Sequence, residues 1–112
     1  MLENDLLKIA KDYFVVWSNK DLTTLGQMFS EEIVLKDWEK DYVGKQNVLK
    51  ANEEIFNNTT NLSVTVHDIS HTDDIVFARL TVNAGNKKIP VVDVIKFNDN
   101  FKISSIRAYR GN

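Results

Sequence analysis

The hydrophobic period changes once along this chain, and that change splits it into a helical part and a sheet part. In the first half, apolar residues recur at steps of three and four. Leu6, Ile9, Ala10, Tyr13, Val16 and Trp17 mark one face of a helix over residues 5–18. Asp21 is placed to cap a short second helix with the face Leu22, Leu25, Met28 and Phe29. After the solvated pair Glu31-Glu32, the run Ile33-Val34-Leu35-Lys36-Asp37-Trp38 reads as a first strand. Beyond Gly44 a third amphipathic helix carries Val48, Ala51, Ile55 and Phe56 and ends in the polar run 57–61.

The second half alternates. Leu62, Val64 and Val66 interleave with Ser63, Thr65 and His67; Val76, Ala78, Leu80 and Val82 interleave with Phe77, Arg79, Thr81 and Asn83. Ile89 to Phe97 and Phe101 to Tyr109 complete four strands. Turn residues separate them at 71–74, Ala84-Gly85-Asn86 and Asn98-Asp99-Asn100. Helices first and a meander last predict an α+β fold, with the helices on one face of an antiparallel sheet. With 112 residues and no internal repeat or linker, a single domain over residues 1–112 is expected.

Composition narrows the partners. Fourteen Lys and Arg against 16 Asp and Glu leave a net charge of -2, which argues against nucleic acid or an anionic membrane surface. No Cys is present, so disulfides, thiol nucleophiles and thiolate metal sites are excluded. The longest apolar run, Tyr13 to Trp17, is too short to span a bilayer. The acidic opening Met1-Leu2-Glu3-Asn4-Asp5 lacks the basic region of a signal peptide, so a cytoplasmic location is expected. On the strand from Ile89, Val91 and Ile95 share a face with Asp93 while Val92 and Val94 lie on the other. A strand apolar on both faces needs cover on both, and a second copy of the chain, a homodimer, is the economical cover.

The order of elements, with its sequence words, resembles the NTF2-like (cystatin-like) cone, in its ketosteroid-isomerase and SnoaL-like branch. The words are Lys11-Asp12-Tyr13, Asn19-Lys20-Asp21-Leu22, Met28-Phe29-Ser30-Glu31-Glu32, Leu35-Lys36-Asp37-Trp38, Val91-Val92-Asp93-Val94-Ile95-Lys96-Phe97-Asn98 and Lys102-Ile103-Ser104-Ser105-Ile106-Arg107-Ala108-Tyr109. The resemblance implies three helices packed on a curved, mostly antiparallel sheet around one pocket. In the isomerases a carboxylate moves a proton between carbons next to a ketone, while a tyrosine and a protonated carboxyl donate hydrogen bonds to the enolate oxygen. The tyrosine of that set matches Tyr13, the base Asp37 and the protonated acid Asp93. Trp17 and Trp38 neighbour these residues and are candidates to touch a ligand. The implied partner is a small, largely apolar molecule, and no metal or organic cofactor is implied. A non-catalytic binding module, and a cyclase, lyase or hydrolase using the same carboxylates, are the alternatives on this fold.

The sequence departs from the isomerase pattern in three places. Trp38 follows Asp37 where Pro is usual, Asn52 stands at the position of a supporting tyrosine, and Arg110 stands where an aromatic residue lines the pocket. A guanidinium near Asp93 would favour its ionised form; alternatively, Arg110 binds a substrate carboxylate.

Without the resemblance, each candidate also has a structural reading. Tyr13 is then a core aromatic, and Asp37 a strand-end carboxylate holding nearby amides. Asp93 is then a buried partner of Arg107 or Arg110. His67 and His71 lie in a strand-period segment, where four steps separate them by roughly 13 Å, too far to share a metal. For the strand 76–82 the alternation puts Val76, Ala78, Leu80 and Val82 inside, whereas the motif match puts Phe77 and Arg79 nearer the pocket.

Overall fold

The computed structural model describes residues 3–112; Met1 and Leu2, which begin the acidic opening segment, lie outside the described residues. Helix α1 (Glu3–Ser18) turns Leu6, Ala10, Tyr13 and Phe14 into the core, with Trp17 half-buried one turn on. The side chain of Asp21 accepts bonds from the Thr24 amide at 3.1 Å and hydroxyl at 2.7 Å, capping α2 (Leu22–Met28). These bonds hold the Asp21 carboxyl below the usual carboxylate range. Helix α3 (Lys45–Asn58) starts at Gly44, whose φ of +91° suits glycine, and buries Val48, Ala51, Asn52 and Phe56.

The first strand differs from expectation at both ends. β1 is Phe29–Lys36, so Phe29 opens the strand instead of closing α2, and Glu31-Glu32 belong to the strand instead of a connection. Phe29 and Ile33 are buried while the two glutamates point to solvent, and the register with the neighbouring strand shifts between Phe29 and Val34. A kink there lets two consecutive glutamates stay solvated within a strand, which simple alternation does not anticipate. β2 (Asp41–Val43) was not expected; three residues carry too little periodicity to read, but they pair antiparallel with β1.

The meander follows the sequence closely: β3 (Leu62–Thr72), β4 (Ile75–Ala84), β5 (Lys87–Phe97) and β6 (Ile103–Arg110). Asp73-Asp74 and Gly85-Asn86 are the two-residue hairpin turns, with Asp73 and Gly85 at positive φ. Phe101 also takes positive φ, so the last strand begins at Ile103, two residues later than expected. The sheet order is β2-β1-β6-β5-β4-β3. β1 runs parallel to β6 and the other neighbours are antiparallel, so the sheet is mixed. The three helices lie across one face, and Leu25, Val48, Val76, Ala78, Ile95 and Ile106 join them to the sheet. On β4 the alternation reading holds: Val76, Ala78 and Leu80 are buried, while Phe77 and Arg79 are exposed on the outer face. Among the described residues no helix is long and apolar enough to cross a membrane.

Two side chains lock the helices to each other and to the sheet. Ser18 Oγ donates to the Phe14 carbonyl and accepts the amide of Val64, tying the end of α1 to β3. Lys20 Nζ donates to the carbonyls of Phe56 at 2.9 Å and Thr59 at 2.6 Å, satisfying the orphan C-terminal end of α3. Replacing this cation by an apolar side chain, Lys20→Met, is expected to cost about 1–2 kcal/mol of folding stability. Urea denaturation checks this; an unchanged midpoint would remove the cap from the account.

Candidate functional site

Between α1, α3 and the concave face of the sheet lies a cavity of about 280 Å³. Six of the candidates read from sequence line it: Tyr13 and Trp17 from α1, Asp37 and Trp38 just beyond β1, Asn52 from α3 and Asp93 from β5. The rest of the wall is apolar, supplied by residues such as Leu35, Val64, Val82, Ile89 and Ile106. These were expected only as core or alternating strand residues. The alternation gives their face, but not the curvature that leaves space in front of them.

Asp93 is a buried residue of this cavity's wall. Its partners across the two flanking ladders are Ala78 on β4 and Ala108 on β6. Neither methyl group fills the space before the carboxyl, and neither offers a donor. Among the described residues no side chain or amide donates to Asp93, and no cation pairs with it. Arg107 pairs in register with Val94 and therefore projects to the opposite face. Burial alone pushes the Asp93 carboxyl up to about 7, because ionisation here would put a charge in an apolar, water-poor site.

Tyr13 sits in the same cavity, its ring 5.3 Å from Phe14 and 6.2 Å from Phe29 between centroids. Burial raises the phenol above its ordinary value, and the nearby Asp93 charge raises it further. Tyr13 therefore keeps its proton. Two proton-bearing oxygens share one apolar pocket, each without a protein hydrogen-bond partner among the described residues.

Asn52 is committed elsewhere. Its Oδ1 accepts from Trp17 Nε1 at 3.0 Å and its Nδ2 donates to the Val48 carbonyl at 3.1 Å. Trp17 is further held edge-on against Phe56, with 5.6 Å between centroids. Asn52 thus positions the indole and keeps little hydrogen-bonding capacity for a ligand.

Asp37 and Trp38 form the mouth. Asp37 Oδ1 accepts the amides of Glu39 and Lys40, each at 2.7 Å, and its own amide donates to the Lys40 carbonyl. This is the turn that reverses the chain between β1 and β2, so Asp37 has the structural role its strand-end position allowed. Its Oδ2 takes no part in these bonds. Arg110 lies apart from Asp93, with its guanidinium 5.7 Å from the centroid of the Trp38 ring. A shallower polar hollow of about 420 Å³ adjoins the mouth and shares Asp37, Trp38 and Ala108 with the cavity. Chemically, the site offers two neutral donors inside and a carboxylate at the rim.

Comparison with known proteins agrees with this architecture. A steroid delta-isomerase from Pseudomonas aeruginosa superposes with a TM-score of 0.78 at 16% identity, over 99% of this chain and 82% of that one. An LEH-like epoxide hydrolase from M. tuberculosis gives 0.82 at 15% identity, over 97% and 84%. An NTF2-like protein from Cytophaga hutchinsonii gives 0.80 at 12% identity, over 92% and 87%. At these identities the likeness is one of fold. No curated protein matches the sequence. Residues 10–106 match the SnoaL-like domain, and the chain belongs to that family.

Proposed function

We propose that the cavity binds a small, largely apolar carbonyl compound and moves a proton on it. The observation that carries this reading is the pair Tyr13 and Asp93, both proton-bearing and unpartnered, together in an apolar pocket. Buried donors without acceptors are costly unless a ligand supplies the acceptor, and a carbonyl oxygen is the simplest one. In this scheme Asp37 Oδ2 takes a proton from the carbon beside the carbonyl. The electron pair of that C–H bond moves toward the carbonyl oxygen and gives an enolate. Tyr13 and protonated Asp93 donate hydrogen bonds to the developing oxyanion, which they stabilise more than the neutral carbonyl. Asp37 then returns its proton to another carbon of the same conjugated system. Trp17 and Trp38 supply aromatic walls, and Asn52 fixes Trp17.

One observation favours a second reading, binding without turnover. Two short amide bonds engage Asp37 Oδ1 in the turn between β1 and β2, a structural task that needs no catalytic role for this residue. Asp37→Asn separates the two readings. Catalysis through Asp37 predicts a loss of about 10²–10⁴ in enone isomerisation rate with ligand affinity retained. Full turnover in that variant removes Asp37 as the base.

The donor pair has its own test, because a phenolate resembles an enolate in charge and shape. Substituted phenols are expected to bind, to lose affinity in both Tyr13→Phe and Asp93→Leu, and to bind more weakly as Asp93 ionises above about pH 7. Phenol affinity that neither substitution alters would contradict the donor roles.

The raised Asp93 value also sets a pH dependence of stability. The folded chain holds this proton up to about pH 7, whereas the unfolded chain releases it near 4. The stabilisation is complete in acid and is lost as the pH rises from about 4 to about 7. Between pH 5 and pH 8, wild type is expected to lose about 2–3 kcal/mol more than Asp93→Asn, at about 1.4 kcal/mol per unit. Parallel profiles from denaturant titrations of the two proteins would contradict a raised value.

A second copy of the chain is the proposed partner for the outer face of the sheet. Phe77 lies opposite Val94, and Val92 opposite Tyr109, so these four form one apolar patch. Phe77, Val92 and Tyr109 are exposed there. Sedimentation should find a dimer that Val92→Glu converts to monomer; a monomeric wild type would remove the dimer from the proposal.

A further inference from the structure

Arg110 closes β6 on the cavity side of the sheet. It pairs in register with Val91, while Ala108, two residues earlier, pairs with Asp93. Val91, Asp93 and Ala108 all line the cavity. Strand alternation therefore starts the Arg110 side chain on that same face. The guanidinium rests on Trp38, itself part of the cavity mouth.

Arg110 stands outside the ion pairs formed among the described residues, as do several of the lysines. Lys8 pairs with Asp12, Lys36 with Asp41, Lys45 with Glu31 and Arg79 with Asp68. Among the described residues no carboxylate pairs with Arg110. Asp37, the acid adjacent to Trp38, gives Oδ1 to backbone amides instead. The guanidinium carbon lies 5.7 Å from the indole centroid, and among the described residues no protein acceptor takes its N–H groups, so that fork is left for a carboxylate. The hollow that adjoins the cavity mouth, lined by Asp37, Trp38 and Arg110, thus holds a cation able to receive an anion.

We propose that the ligand carries a carboxylate that Arg110 binds at the mouth, with its apolar body in the cavity and its carbonyl at Tyr13 and Asp93. This rests on reading the cavity as a carbonyl-compound site. The register sets the spacing. Arg110 is two strand residues beyond the position opposite Asp93, so carbonyl and carboxylate stand about 7 Å apart or more. Short 2-keto acids, whose carbonyl and carboxylate are adjacent, do not fit this arrangement. Apolar keto acids or aryl carboxylates with the two groups at opposite ends do.

Calorimetric titration with 2-naphthol and 6-hydroxy-2-naphthoate tests the assignment. Both present a hydroxyl to Tyr13 and Asp93, and only the second carries a carboxylate at its far end. Wild type is expected to favour the naphthoate by about tenfold. Arg110→Gln should bring the affinity ratio to about one, and Arg110→Lys should keep part of the preference. The ratio is the readout, so any loosening of Trp38 that weakens both ligands alike leaves it unaltered. Equal affinities in wild type, or a preference that persists in Arg110→Gln, would overturn the carboxylate assignment while the cavity reading stands. Binding of neither compound would overturn the cavity reading and this assignment with it.

Discussion

A carboxyl group buried in an apolar cavity without a partner is the constraint on which the rest of this structure depends. Asp93 shares its strand face with Val91 and Ile95 and is flanked across the sheet by Ala78 and Ala108. An ionised carboxylate there would be expensive, and among the described residues no arginine or lysine pairs with it. Burial raises the group to about 7, so the protein keeps it protonated up to near neutral pH. That choice makes an acid into a hydrogen-bond donor, and it needs dry surroundings, small neighbours and no cation within reach. The helices across the concave face supply the dryness, and the alanines supply the space.

The same logic distinguishes the polar groups of the site by their partners. Tyr13 and Asp93 are buried, and among the described residues neither has a hydrogen-bond partner. Beside them, the Trp17–Asn52–Val48 chain of hydrogen bonds is complete in itself and serves as scaffold. At the rim, charge returns: Asp37 held by backbone amides, and Arg110 lying on Trp38. A ligand that is apolar in the middle and polar at both ends complements this arrangement. On the outer face, charged groups such as Arg79 and Asp68 pair beside the patch of Phe77, Val92, Val94 and Tyr109.

Much of this was legible in the sequence, and for physical reasons. Period 3.6 in α1 and α3 and period 2 in β3 to β5 report which face is buried, so the α+β order and the inward set Val76, Ala78 and Leu80 could be read directly. The family resemblance located Tyr13, Asp37 and Asp93, and all three line one cavity. What escaped was set by tertiary context. The three-residue β2 has no period, the register shift in β1 hides Glu31-Glu32 inside a strand, and the parallel β1–β6 pair leaves no local mark. Residue type also could not tell which hydrogen bonds Asp37 and Asn52 would make. Both proved to be engaged with their own neighbours, and Asn52 now reads as a support for Trp17. For Arg110, the choice between pairing with Asp93 and standing free turned on the register of β6, which aligns Ala108 with Asp93 and carries the arginine onward to Trp38.

The most direct test of this account is to titrate the Asp93 side-chain carbon by NMR in the wild-type protein, assigned by comparison with Asp93→Asn. The account predicts that this carboxyl resonance titrates near pH 7. A resonance that titrates near the ordinary value of about 4 would mean an ionised Asp93 at neutrality. It would then be no donor, and the oxyanion-binding account of the cavity would be contradicted.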